Sequence, residues 1–153
     1  GLVDGVSEGT IAPQGLAVIP VEEVAGPGMG IVIATAEPVG AALIYATDEA
    51  RAVTPGATRE AVHWVAPVSS TTAEGQTTVW ILNLAGADLT ATVQLIGSSS
   101  IKTVELAAGM TTGVVIRPSG GQGIEVTADG SIVVFYGVLS ESAFGVAPAI
   151  PIE

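Results

Sequence analysis

The sequence predicts an all-β protein, an immunoglobulin-like sandwich of antiparallel sheets. Short runs rich in Val, Ile and Thr recur at strand length, and Gly, Pro, Asp or Ser bounds each run. Patterns typical of amphipathic helices are nearly missing. The chain has 153 residues, which is long enough to bury a core without disulfides. It contains no cysteine.

The predicted strands follow one another along the whole chain. They cover residues 16–24, 30–34, 39–46, 61–65, 77–84, 91–95, 101–106, 112–116, 123–127 and 132–139. Turn-forming residues separate several of them, for example at 86–88, 97–100 and 118–121. The pair Asp129-Gly130 lies between two apolar runs and predicts a tight hairpin, because both residues tolerate the positive φ of a type I′ turn.

An internal repeat is the simplest explanation of one long similarity. Residues 30–55 can be laid on residues 123–148 without a gap, at a spacing of 123 − 30 = 93 residues. Both copies have the order strand, acidic turn, apolar strand, polar loop, short strand and proline. We therefore expect a partial β-module at 1–60, holding the later strands of a repeat, and a complete module at 61–153. The alternative is a single sandwich of about ten strands.

The charge balance excludes some partners. Four basic residues stand against fifteen acidic ones, for a net charge of −11, so the average field repels nucleic acid. Only 12% of residues are charged while 48% are hydrophobic. A charged share this low predicts that neighbouring modules or a second copy cover part of the surface. A homo-oligomer is the expected state.

No catalytic residue can be assigned from the sequence, and the expectation is that the protein is not an enzyme. The letters Gly5-Val6-Ser7-Glu8-Gly9 match a nucleophile elbow, but no strand precedes them and a loop containing Pro13 follows. The single histidine lies in the pair His63-Trp64. In a strand this pair places Trp64 in the core and His63 toward solvent.

No metal or cofactor site is predicted either. The acidic residues lie outside any calcium-loop pattern and are interpreted as solvated turn residues, although surface calcium stays an alternative. The main examples are Glu22, Glu23, Glu37, Asp48, Glu49, Asp88, Asp129 and Glu141. Glycine-rich stretches at 26–30 and 119–123 precede the two repeated segments and lack the lysine or helix that phosphate binding needs.

The two ends of the chain and its apolar runs bear on location. Gly1 opens the sequence without a signal peptide or an initiator Met, which suggests a processed or excised chain. The longest apolar runs are about eight residues long, whereas a helical membrane span needs about 20. We expect no membrane span.

A family resemblance supports the modular interpretation. The relevant residues are Trp64-Val65-Ala66-Pro67, the strand ending at Asn83-Leu84-Ala85-Gly86, the strand 91–95, Leu106-Ala107-Ala108-Gly109 and the segment 123–136. This order resembles an uncharacterised family of repeated β-sandwich modules in secreted and surface proteins, frequent in actinobacteria. The resemblance implies an extracellular or cell-surface location and no enzyme activity.

The expected function follows by elimination. The favoured hypothesis is a structural or adhesive subunit of an extracellular assembly, held together by strand edges or apolar faces. A carbohydrate- or ligand-binding β-sandwich module is the alternative, and it requires a concave site with an exposed Trp or Tyr.

Overall fold

The protein is all-β, and its sheets are antiparallel. The structure is a computed structural model that describes residues 9–20, 31–46, 51–67, 76–117, 122–139 and 144–153. The strands are β1 (Ala42–Ala46), β2 (Arg51–Pro55), β3 (Ala61–Ala66), β4 (Gln76–Asn83), β5 (Leu89–Leu95), β6 (Ile101–Leu106), β7 (Thr111–Ile116), β8 (Ile124–Leu139), β9 (Phe144–Pro148) and β10 (Ile150–Pro151). The predicted class is confirmed. The arrangement is consistent with a β-sandwich, and the immunoglobulin-like topology stays a prediction.

Strand β8 organises the larger sheet, because the seven other strands of this sheet join directly or indirectly to it. Its first half pairs with β3 on one side and β5 on the other, and β5 continues to β6. Its second half pairs with β4 and β9, and β4 continues to β7. Strand β8 therefore has β3 and β5 as neighbours along its first half and β4 and β9 along its second half.

The predicted hairpin at Asp129-Gly130 is wrong, because β8 runs through both residues without a break. Continuing the strand gives each half two neighbouring strands, whereas a two-residue turn would put the two halves beside each other and displace one neighbour from each. The pairing with β3 shifts between Ala61 and His63, so residues 128–131 form a bulge. The Asp129 carboxylate accepts a hydrogen bond from the backbone N–H of Thr90 at 2.9 Å.

The core lies between the two halves of the strand arrangement. Buried side chains alternate with more exposed ones over residues 76–81 of β4 and 124–127 of β8, as expected for a half-buried strand, and residues 81–83 and 132–134 are buried consecutively. The largest fully buried side chains are Trp64, Ile81, Leu106, Ile124, Ile132, Val79, Val93, Val114, Val126 and Val134. They belong to β3 through β8, so residues 61–139 supply most of the core.

Two buried polar side chains fix the places where regular pairing ends. The Trp64 indole N–H donates to the carbonyls of Ala61 and Ile132, the two residues paired beside the β8 bulge. Asn83, at the end of β4, is fully buried and binds the loops that follow β4 and β6 through its side-chain amide.

The described part of the N-terminal third contains one two-stranded sheet, in which β1 pairs with β2. The strands predicted at 16–24 and 30–34 are wrong over their described parts, 16–20 and 31–34, which form no strand. No described strand lies beside them to accept their hydrogen bonds. Strand β2 lies alongside β9, with Cα atoms within 8 Å, and Ala57 packs against the core.

We expect Thr77→Val to stabilise the protein by about 1 kcal/mol. The Thr77 hydroxyl is buried on the inner face of β4 and has no hydrogen-bonding partner among the described residues. Valine has the same shape and removes the desolvated hydroxyl. Urea denaturation measures the change, with Thr78→Val on the opposite face as the control. A loss of stability in Thr77→Val would show that the hydroxyl has a partner.

Candidate interaction surfaces

The single histidine pairs with a glutamate on the neighbouring strand, and no serine of the described residues completes a Ser-His-acid arrangement with it. Trp64 is 1% exposed, and His63 lies on the opposite face of β3, as the alternation of the strand predicts. Its Nε2 lies 2.7 Å from Oε1 of Glu125 on β8. No serine hydroxyl is described in contact with this pair. Within the elbow-like motif only Gly9 is described, and residues 5–8 lie outside the described part.

Two of the acidic residues predicted to lie in turns, Asp88 and Asp129, have backbone partners, although Asp129 lies within strand β8 and not in a turn. Asp88 accepts a hydrogen bond from the backbone N–H of Ala108 at 2.9 Å, and Asp129 accepts one from Thr90. Within the described ranges, no three His, Asp or Glu side chains lie close enough to share a metal ion. Several acidic residues lie outside the described part, namely Glu22, Glu23, Asp48, Glu49 and Glu141.

Helices long and apolar enough to cross a bilayer are also missing from the described residues. The most prominent surface features of the described residues are exposed apolar side chains.

Exposed apolar side chains concentrate in the N-terminal third. Among the described residues, eleven of the eighteen large exposed hydrophobic side chains precede Gly56, although this part contributes fewer than half of the described positions. Leu16 is 90% exposed and Val18 is 78% exposed. The others are Ile11, Ile19, Ile31, Val32, Ile33, Val39, Leu43, Ile44 and Val53. We call these eleven residues the N-terminal apolar surface.

This surface carries very little charge. Within the described ranges 9–20, 31–46 and 51–55, which hold all eleven residues, Glu37 and Arg51 are the only Asp, Glu, Lys, Arg or His residues. Large exposed apolar patches mark interaction sites in many proteins. Covering the N-terminal apolar surface would desolvate little charge.

Six strands have a single hydrogen-bonded neighbour among the described strands, namely β1, β2, β6, β7, β9 and β10. Of these, β2 and β9 lie alongside each other with Cα atoms within 8 Å, so the edges without a described neighbour are those of β1, β6, β7 and β10. Strand β6 carries Lys102 and Glu105, and β10 has two residues, one of them Pro151. Strands β1 and β7 contain no charged residue and no proline. Charges, prolines and short length are the devices that protect sheet edges, and these two edges lack them.

The outer face of β4 carries the most prominent aromatic feature. Trp80 pairs with Phe135 on β8 and with Gly113 on β7. A methyl group placed on Gly137 would lie 2.7 Å from Cζ3 of Trp80, so the indole covers this glycine. Trp80 is half-buried and therefore presents part of its ring to solvent. This is the described feature closest to a ligand platform.

The two hairpins separated by 93 residues share one register. In the first hairpin Ala42 pairs with Pro55 and Ala46 with Arg51. In the second, Phe135 pairs with Pro148 and Leu139 with Phe144, and each of these four numbers is larger by 93. At the spacing of 93 residues, β1 thus corresponds to residues 135–139 of β8, and β2 corresponds to β9.

Comparisons with known proteins identify no relatives for this chain. No family model matches it, and searches of the curated proteins and of the solved structures return no significant match. Its function is therefore argued from its own surfaces.

Low charge in the sequence indicated a shared surface but did not locate it. The missed features are the two unprotected edges and the Trp80 platform. The available signal was the lack of charge in 39–46 and 111–116, compared with Lys102 and Glu105 in 101–106.

Proposed function

We propose that this chain is a structural or adhesive subunit of an extracellular or cell-surface assembly and that it has no enzymatic activity. The observation that carries the proposal is the N-terminal apolar surface. The resemblance to repeated modules of secreted proteins supports the location. The shared register of the two hairpins supports a modular chain with a partial unit at 1–60 and a complete one at 61–153.

The energetic argument concerns water contact. Fully burying a Val, Leu or Ile side chain contributes roughly 1.5–3 kcal/mol before the costs of association. Eleven such side chains are exposed, and the described parts of the chain that carry them, 9–20, 31–46 and 51–55, contain only Glu37 and Arg51 as charged residues, so a partner gains apolar burial and desolvates little charge. A segment of this kind favours association over the monomeric state.

A ligand-binding module is the second candidate, and Trp80 is the observation that favours it. An indole that covers Gly137 and faces solvent can stack on a flat apolar ligand face, such as that of a sugar ring. The described surroundings offer few polar groups to orient a ligand, with Thr78 the nearest on the same face of β4. We therefore rank this function below assembly.

The test is the mass of the protein in solution over a range of concentrations, measured by light scattering after size exclusion. We expect oligomers whose mass grows with concentration. The double variant Leu16→Asp/Val18→Asp is expected to weaken association by more than tenfold, because both side chains are exposed and their replacement by charge removes apolar contact.

The matched control is Ile101→Asp, which changes an equally apolar side chain, 57% exposed, on the charged edge strand β6. We expect it to leave association unchanged. A wild-type chain that keeps the 15.1 kDa mass of a monomer at all concentrations would overturn the proposal and favour the ligand-binding alternative.

A further inference from the structure

We propose that two copies of this chain join edge to edge, with β1 of one copy pairing antiparallel with β7 of the next. This inference rests on the proposed assembly function and specifies one of its contacts, since Leu43 and Ile44 of the N-terminal apolar surface lie in β1. The sheet of one copy would then continue into the sheet of its neighbour through backbone hydrogen bonds.

The first step concerns which edges are open to pairing. Strand β1 pairs with β2 on one side, and no described strand lies on its other side. Its exposed side chains include Leu43 at 46% and Ile44 at 65%. Its five residues are uncharged and free of proline, so nothing in the strand opposes the addition of another strand.

The second step uses the repeat to show what covers an equivalent edge. At the spacing of 93, β1 corresponds to residues 135–139 of β8. Those residues pair with β9 on one side and with β4 on the other, from Trp80 opposite Phe135 to Gln76 opposite Leu139. The first hairpin has the β9 equivalent but no described strand in the β4 position. The missing neighbour is an antiparallel strand of the β4 type.

The third step selects β7 as that neighbour. Strand β4 itself is paired on both sides and has no free edge. Strand β7 has one edge without a described neighbour, and its sequence resembles β4: Thr111-Thr112 opens β7, Thr77-Thr78 follows the first residue of β4, and apolar residues or glycine come next in both. A second copy can thus present β7 where β4 stands in the complete unit.

A contact between β1 and β7 does not limit the number of copies in the assembly. The contact joins two different strands, β1 of one copy and β7 of the next, so it is heterologous. An open assembly therefore has an unpaired β1 edge at one end and an unpaired β7 edge at the other. Repetition of the contact gives rings or filaments rather than a symmetric dimer. This agrees with the growth of mass with concentration expected above.

The experiment blocks one edge at a time with Ile44→Lys on β1 and Val115→Lys on β7. Both side chains are exposed, at 65% and 48%, so the charge lies at the edge and not in the core. We expect each variant alone to be monomeric. An equimolar mixture should form a dimer of twice 15.1 kDa and nothing larger, because only one intact β1 edge and one intact β7 edge can meet.

Control variants separate charge at these edges from general damage. Thr103→Lys adds the same charge to the exposed edge strand β6 and should assemble like the wild type. Ile44→Thr and Val115→Thr keep β-forming residues at the two positions and should also assemble. Circular dichroism of every variant checks that the fold is retained.

Each other outcome overturns the inference in a recognisable way. Dimers of Val115→Lys alone would show that β1 pairs with itself, and a monomeric mixture would show that the two edges do not meet. Normal assembly of both lysine variants would refute the edges while leaving the proposed function standing. A monomeric wild type would refute both.

Discussion

Replacement of Trp64 by phenylalanine is expected to lower the free energy of unfolding by about 2–3 kcal/mol, and replacement by alanine by about 3–5 kcal/mol. The indole N–H donates to the carbonyls of Ala61 at 2.9 Å and Ile132 at 3.1 Å. Phenylalanine keeps most of the buried ring but leaves the Ile132 carbonyl buried without this donor. Alanine also opens a cavity in the core.

The Trp64 effect has a structural reason beyond its size. Ala61 and Ile132 pair at the point where the register of β3 against β8 shifts. The indole N–H therefore binds a carbonyl of each strand beside the bulge at 128–131. Denaturation in urea, followed by circular dichroism, measures the loss. Val62→Ala, on the same strand with a side chain 49% exposed, is the control and should cost less than about 1 kcal/mol. A Trp64→Phe variant as stable as the wild type would contradict this role.

Asn83→Ala is the second large effect, with an expected loss of about 2–5 kcal/mol. The Asn83 Nδ2 donates to the carbonyls of Ala87 at 2.9 Å and Leu106 at 3.0 Å, and lies 3.3 Å from that of Ala107. Its Oδ1 accepts a hydrogen bond from the N–H of Ala85 at 2.8 Å. Alanine would remove a fully buried amide and leave the buried carbonyl of Leu106 without this donor.

Thermal and urea denaturation test the Asn83 prediction against a matched amide. Gln94 also uses its side-chain NH₂ to bind a loop carbonyl, that of Ser98, but it is only half-buried. We expect Gln94→Ala to cost about 0.5–1.5 kcal/mol, because water can replace its contact. Equal losses in the two variants would show that burial of Asn83 adds nothing.

Most strands of the larger sheet could be predicted from local pattern. Runs 61–65, 77–84, 91–95, 101–106 and 112–116 each lie within two residues of an observed strand at both ends. Their alternating apolar side chains match the period of a half-buried strand, and the pattern also predicted that Trp64 is buried. The exact topology was beyond this pattern, because pairing partners are separated by up to tens of residues.

The failed hairpin shows where local turn chemistry loses to sheet pairing. Asp129-Gly130 is a strong turn signal, yet the described glycines with positive φ are Gly97 and Gly109, not Gly130. Residues 124–128 and 132–139 each find partners on two sides, so one long strand with a bulge satisfies more backbone groups than a hairpin.

The strands predicted at 16–24 and 30–34 are wrong because their described parts lack pairing partners. Residues 16–20 and 31–34 have β-forming side chains but no described strand beside them, and an isolated strand is not stable in water. The same absence leaves the N-terminal apolar surface open. The interaction surfaces were predicted in kind from low charge, but alternation identifies buried faces and gives no information about free edges.

Amide hydrogen exchange at two protein concentrations tests the edge-to-edge account most directly. Between a dilute sample of monomers and a concentrated one, exchange in β1 (Ala42–Ala46) and β7 (Thr111–Ile116) should slow by at least tenfold, while β6 (Ile101–Leu106) should not change. Slower exchange confined to β1 and β7 is the predicted result. A growing mass with unchanged exchange in both strands would contradict it.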